Sequence, residues 1–457
     1  MSPGAGGAVP AIYTDEDKAR RYEEKDPDDR RSRFARDHDR LVHTSAFRRL
    51  QGKTQVVTPG EADFFRTRLT HSIEVAQVAR RLAEYLGADP DLCEASAILH
   101  DLGHPPFGHI GEEELNVGLD KVARAWGLDG VNEVGGYNGN AQSFRLAVKT
   151  LTQSSSFEGL DLTRGVIDGA VKYPYRRNEP GVPGSDGHWC FFPTESTEQE
   201  WVRRGVPAAR IHKQSFEAQI VDWADDVAYS IHDVDDWYRG GFMPLEMLAQ
   251  SNEFRDDFAS RISRDLKSPA FTEVQVKQIA QDLFGGEYFR GFTRAYDGSA
   301  NAKEAIRAMR RGLFTEFTRV AVENPKAPAR RHENDLKIEA RTKLHNRIVK
   351  QLLWYYVIDH PRMATHQTGQ GRVVRELFTI HVRALAYDPA GKLKRRPTLE
   401  IFPPDMRDLL EETRKNQNPA ELLRIVADRI SGMTDEYAMR LHGRLTGADP
   451  GIFNAFL

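Results

Sequence analysis

Cysteine is nearly absent from this chain of 457 residues: Cys93 and Cys190 are the only two, and they stand in unrelated settings. Such a pair fits no zinc spacing and no secreted disulfide framework. Long apolar runs are missing too. No stretch of 18 apolar residues occurs, so no transmembrane helix is expected, and the start MSPGAGGAVPAIYTDEDKARR lacks the apolar segment of a secretory signal. An excess of either charge is also missing: 64 Lys and Arg stand against 67 Asp and Glu, a formal net charge of −3. That balance gives no global pull toward nucleic acid or an anionic membrane, so any anion must be held by a local cluster. The expectation is a cytoplasmic protein with no membrane attachment.

What is present is a chain that is 40% hydrophobic, enough at this length for a sizeable core. Residues 1–28 read as a flexible N-terminal segment, 29–240 as a core domain, and 241–457 as a helical C-terminal region packed on that core. Between Gln51 and Arg66, Val56-Val57 and Pro59-Gly60 suggest a short hairpin or loop. Helical periodicity then takes over. Ile73, Val75, Val78, Ala79, Leu82 and Leu86 line one side of a helix that stops at Gly87, and Pro90 opens the next. Further helices are expected near 141–153, 214–239, 271–284, 301–323, 333–359, 371–387, 404–415, 418–430 and 433–446. Residues 173–205, rich in Pro, Gly, Arg and Ser, look like an excursion over the surface. The fold class is all-α with at most a small β-hairpin.

The densest chemical signal is HDLGHPPFGHIGEEE, residues 100–114. His100 and Asp101 close an apolar helix, so both are expected to be at least partly buried. A buried carboxylate beside an imidazole needs a partner, and a divalent metal is the strongest one available. The bland alternative is a helix end whose histidines merely cap carbonyls. Two other segments shift the balance. His71 opens the preceding helix, and two antiparallel helices joined by a turn would return it beside His100 and Asp101. In EAQIVDWADDVAYSIHDVDD, Asp225, Tyr229 and Asp233 recur at i, i+4 and i+8 on one helical face. Its alternative is an acidic solvated stripe, to which Asp226, Asp235 and Asp236 are assigned.

The order His71, His100-Asp101, Asp225 resembles the HD phosphohydrolase superfamily. The blocks FRRLQGKTQV, RLTHSIEV, HDLGHPPFGHIGE, GNAQSFR and ADDVAYSIHDVDD together resemble deoxyguanosine triphosphate triphosphohydrolase-like proteins. They span about Asp29 to Asp236, half the chain; the other half is matched by helical character alone.

This resemblance implies an HD-domain helical fold and His71, His100, Asp101 and Asp225 as metal ligands. Counting from Asp225, and not from Asp226, puts Tyr229 and Asp233 where the family has substrate contacts. Two imidazoles and two carboxylates suit Mn, Mg, Fe, Co or Ni, and the donor set alone does not choose among them. The resemblance further implies His109 and Glu112 as a proton-transfer pair, and a carboxylate beside a histidine does orient the ring and favour its protonated form. Implied substrate contacts are Arg68 and His104 at phosphates, Gln55 at the sugar or base, Tyr229 beneath the deoxyribose and Asp233 on the ribose or phosphate side, with Asn140 and Lys172 as further carry-overs.

The implied reaction is hydrolysis of a dNTP to deoxynucleoside and tripolyphosphate. Implied partners are the dNTP substrate, a dNTP activator and further copies of the chain, a hexamer being the expected homo-oligomer. Two other readings stay open. One is an HD phosphatase or phosphodiesterase on another nucleotide. The other is a nucleotide-responsive, single-strand nucleic-acid-binding protein with secondary hydrolysis, motivated by the basic segments KLKRRP and PKAPARRH but lacking interleaved aromatics for base stacking. The arginines at 30, 31, 33, 36, 40, 48 and 49 read as a solvated helix face, or as contacts to a neighbouring subunit or a regulatory nucleotide.

Overall fold

The computed structural model describes residues 13–22, 30–55, 65–152, 156–265, 272–323, 331–358, 360–387 and 396–449. The fold is all-α, with one two-stranded antiparallel sheet among the described residues. The expected hairpin at 51–66 lies largely outside the described residues, as do most of the flexible start and the two basic segments. The chain divides into two compact units, one of residues 10–221, 328–333 and 367–457, the other of 1–9, 222–327 and 334–366; the division falls inside helix Phe216–Arg239.

In the larger unit, helix Arg68–Leu86 begins at a capping box. Thr67 accepts from the Thr70 amide, and the Thr70 hydroxyl oxygen accepts from the Thr67 amide. Gly87 ends the helix at φ 78°, a conformation glycine adopts without a Cβ penalty. After a short turn the carboxylate of Asp89 caps helix Pro90–His100, accepting from the Asp91 and Leu92 amides. Each such cap is worth about 1 kcal/mol. The two helices pack on each other through Val75, Ala79, Leu82 and Leu86 on one and Leu92, Ala95 and Leu99 on the other, all at most 2% exposed. Helix Arg33–Val42 and helix Arg164–Gly169 pack against Pro90–His100. Gly169 is required there, because a Cβ would lie 2.4 Å from the Ser96 hydroxyl.

A second core of this unit joins helix Gly108–Ala125 to the C-terminal helices. Phe107, Leu115 and Leu119 meet Val374, Leu377, Phe378, Leu422, Val426 and Ile430, all buried. The stretch 173–205 is corrected by the structure: Trp189, Cys190, Phe191 and Phe192 are at most 1% exposed, and Ser196–Val202 is helical. Four apolar residues between His188 and Pro193 show no helical period, so their burial was hidden.

In the other unit, helices Asn252–Asp265, Glu273–Phe284, Ala300–Phe317 and Ala340–Leu353 surround stacked and edge-on aromatics such as Phe258, Phe284 and Phe289. The helices expected at 301–323 and 333–359 are shorter because Ala321–Val322 pairs with Leu336–Lys337. The acidic stripe is likewise corrected. Asp235 and Asp236 are 2% and 5% exposed, and Asp235 accepts from Arg239 at 2.5 Å and from Arg310 at 3.2 Å. No described helix is long and apolar enough to cross a membrane.

Candidate active site

His71 sits in the first turn of helix Arg68–Leu86, where its backbone amide bonds to the Thr67 carbonyl at 3.0 Å. His100 is the last residue of helix Pro90–His100, and Asp101 is its C-cap. Antiparallel packing of the two helices brings the start of one beside the end of the other. One side-chain ligand atom from each of His71, His100 and Asp101 lies within 4.8 Å of the others, and all three residues are buried.

These residues fit a divalent cation in more than position. His100 Nδ1 lies 2.5 Å from the Ala97 carbonyl oxygen, which orients the ring and leaves Nε2 as the nitrogen available to a cation, a common arrangement for metal-ligating histidine. Asp101 remains an anion. Burial pushes its pKa up, but Arg68, His104 and His100 outweigh that and hold it well below the usual carboxylate range. Arg68 Nη1 lies 3.0 Å from both carboxylate oxygens, and His104 Nδ1 lies 2.6 Å from Oδ1.

A second group adjoins this one. Phe107 and Gly108 both take positive φ, 63° and 57°, and turn the chain sharply into helix Gly108–Ala125. A Cβ at Gly108 would lie 3.2 Å from the Arg68 guanidinium. From the first turn of that helix, Glu112 Oε2 stands 3.6 Å from His109 Nδ1, an ion-pair separation rather than a hydrogen bond. Glu112 Oε1 accepts the Gly139 amide at 2.7 Å and stands 3.8 Å from His104 Nε2. Burial raises the Glu112 pKa, yet His109, His104 and the Gly139 amide hold it down to about 2. His109 itself is 72% exposed, against 15% for Glu112.

The remaining expected contacts are placed less uniformly. Gln55 follows Thr54, whose amide donates to Asp435 at 3.0 Å; Gln55 Oε1 is buried with no hydrogen-bond partner among the described residues. Asn140 Nδ2 donates to the Asn138 side chain at 2.9 Å. The Lys172 ammonium lies 5.9 Å from the centre of the Tyr173 ring. Asp225, Tyr229 and Asp233 belong to the other unit, on helix Phe216–Arg239. There, Lys350 pairs with Asp226 at 2.6 Å and lies 5.4 Å from the centre of the Tyr229 ring.

Several residues near the site escaped the sequence reading. His188 stacks on Tyr173 at 4.9 Å; burial lowers its pKa against an opposing pull from Glu112, with Lys172 and His109 adding to the lowering. Lys53 donates to the His104 carbonyl at 2.5 Å and the Ser431 carbonyl at 2.8 Å, and burial with Arg49 and Arg68 brings its pKa down to about 7. Asp435 accepts the Phe107 amide at 3.0 Å and so fixes the turn before His109.

Comparison with known proteins agrees with this geometry. The chain matches the HD domain over residues 68–230 and the phosphohydrolase-associated domain over 336–444. It is 36% identical over 458 residues to a deoxyguanosinetriphosphate triphosphohydrolase-like protein of Streptomyces coelicolor, covering 97% of this chain and 99% of that protein. Proteins of the same name from Bordetella pertussis and Corynebacterium efficiens are 33% and 32% identical, over 94% and 92% of this chain and 93% and 92% of their own lengths. A buried His-His-Asp cluster, an HD domain and relatives matched nearly end to end lead to one conclusion: the chain belongs to the deoxyguanosinetriphosphate triphosphohydrolase-like family and is a metal-dependent phosphohydrolase.

Proposed function

We propose that the protein hydrolyses deoxynucleoside triphosphates at the α-phosphorus, releasing deoxynucleoside and intact tripolyphosphate. The observation that carries this reading is the adjacency of two groups in one unit: the buried His71, His100 and Asp101, and the half-open His104, His109 and Glu112. His71, His100 and Asp101 would hold the cation, with Asp225 as fourth ligand, the position from which Tyr229 and Asp233 follow at i+4 and i+8 on helix Phe216–Arg239. When bound, a divalent ion supplies Lewis-acid polarisation of a phosphoryl oxygen and lowers the pKa of a coordinated water.

The chain's own residues do the rest. Arg68 lies on Asp101, so its guanidinium sets a positive charge beside the place where a phosphate on the cation would sit. His104, between Asp101 and Glu112, stands where its ring can hydrogen-bond to the same oxygens. His109 is open to solvent and flanked by Glu112, so it can hand a proton to the departing 5′ oxygen and be reprotonated from water. Gln55 and Lys172 serve base, sugar or phosphate, and Tyr229 and Asp233 the deoxyribose. The relatives' name makes dGTP the first substrate to test. The same reading carries a homo-oligomer, checked by light scattering on the purified chain.

The experiment is incubation of the purified protein with each dNTP and Mn(II) or Mg(II), with the phosphorus product identified by 31P NMR. Tripolyphosphate supports the proposal. Release of orthophosphate or pyrophosphate instead moves the chain to a different nucleotide phosphatase chemistry.

A further inference from the structure

The motif GNAQSFR contains residues that the reaction above does not use. Helix Gly139–Arg145 lies against the turn that carries His100 and Asp101. A Cβ at Gly103 would fall 2.2 Å from the Ser143 amide nitrogen and 2.3 Å from the Gly139 carbonyl oxygen, so only glycine permits the approach. Ser143 Oγ donates to the His100 carbonyl at 2.9 Å and accepts the Gly103 amide at 2.9 Å. At its N-terminal end the same helix presents the Gly139 amide to Glu112. One short helix therefore touches both halves of the site.

What fixes that helix lies far along the chain. Asp428, on helix Pro419–Ser431 within the phosphohydrolase-associated region, accepts from Gln142 Nε2 at 2.7 Å. It also accepts from Arg145 Nε at 3.1 and 3.0 Å and from Arg145 Nη2 at 2.8 Å. Arg145 is 1% exposed, and it pairs further with Glu195 and with Glu421. A guanidinium this deeply buried is strongly directed by its carboxylates, and removing one leaves charge uncompensated in a site water does not reach.

We infer that Asp428 is a positioning residue for the candidate active site: through Gln142 and Arg145 it seats helix Gly139–Arg145, whose Ser143 and Gly139 then hold the His100-Asp101 turn and Glu112. This assigns a task to the associated region, and it rests on the reading that His71, His100 and Asp101 hold a cation. Outer partners of metal ligands are worth about 10–100-fold in metal affinity.

The test uses the metal-free full chain and four proteins: wild type, Asp428→Asn, Gln142→Leu and Val426→Ala. The last removes buried apolar volume from the same helix two residues away from Asp428 and serves as the control for general loosening. Hydrogen exchange at the Gly103 and Gly139 amides is measured first. Asp428→Asn should speed both by on the order of tenfold, Gln142→Leu by less, and Val426→Ala should leave them at the wild-type rate. Mn(II) titration followed by electron paramagnetic resonance should then show about 10–100-fold weaker binding for Asp428→Asn than for Val426→Ala. Wild-type exchange in both Asp428→Asn and Gln142→Leu overturns the inference, as does equal loss of Mn(II) affinity in Val426→Ala. Absence of Mn(II) binding by the wild type sinks the metal reading alone, and the exchange rates still decide whether Asp428 seats the helix.

Discussion

The two halves of the site differ in how much water they see, and the difference separates holding from reacting. His71, His100 and Asp101 are each 9% exposed or less. Asp101 is flanked by Arg68 and His104, so its charge is fixed by neighbours and not by pH near neutrality, with acceptor capacity left for a cation. His109 is 72% exposed and faces one carboxylate across 3.6 Å. A group that keeps a cation gains from a dry, over-determined cage, because charges attract more strongly there. A group that exchanges protons gains from solvent access and a loose partner. The same motif, HDLGHPPFGHIGE, supplies both, separated by the sharp turn at Phe107 and Gly108.

The largest effect is expected in the dry half. Asp101→Ala should abolish cation uptake and turnover together, read by Mn(II) titration and by dNTP hydrolysis. It also strands the Arg68 guanidinium at a buried position, a loss of about 3–5 kcal/mol in stability. An Asp101→Ala protein that still binds Mn(II) at the wild-type affinity would remove the distinction between the halves. His109→Ala comes next. With its side chain largely in solvent and only Glu112 across from it, its removal should lower the melting temperature slightly and leave Mn(II) binding unchanged while kcat falls by about 10²–10⁴-fold. Unchanged kcat would show that the proton comes from elsewhere, the His104 ring 6.5 Å away being one candidate.

A smaller effect probes the carboxylate between the halves. The Glu112 pKa is held at about 2, below its ordinary 4.5. A depressed carboxylate contributes stability that is present above the unfolded value and lost as pH falls from 4.5 through about 2. The shift corresponds to at most about 3 kcal/mol. Urea unfolding of wild type and Glu112→Gln between pH 6 and pH 2.5 should therefore converge at the acid end. Curves that stay parallel would show that His109, His104 and the Gly139 amide do not stabilise the anion.

The same contrast governs how much of the fold and of the site is legible in the sequence. The helix pair was legible because apolar residues recur at helical spacing and Gly87 and Pro90 mark the turn between them. Once the helices are antiparallel, His71 must come back to His100 and Asp101. Asp435, Lys53, Ser143 and Asp428 were not legible. Each is a lone polar residue whose partner is distant in the chain, as with Asp435 and the Phe107 amide 328 residues apart. Local period carries no information about such pairs. The buried Trp189–Phe192 run failed for the opposite reason, since burial there comes from neighbours in space and not from an amphipathic pattern. Asp235 and Asp236 looked like a solvated stripe because acidic runs usually are one; buried placement, with arginines at 239 and 310 bridging Asp235, was invisible in the local pattern.

The smallest effect concerns the entry to the dry half. Thr67 caps helix Arg68–Leu86, and its carbonyl receives the His71 amide. Thr67→Ala removes the side-chain cap while keeping that carbonyl, so stability should fall by about 1 kcal/mol. Because the first turn carries both Arg68 and His71, fraying there should also weaken Mn(II) binding, though only a few-fold. His109 does not depend on that turn, so kcat at saturating Mn(II) should match the wild type. A drop in saturated kcat would mean that the first turn of this helix positions the proton-transfer pair as well, and the division between a holding half and a reacting half would have to be redrawn.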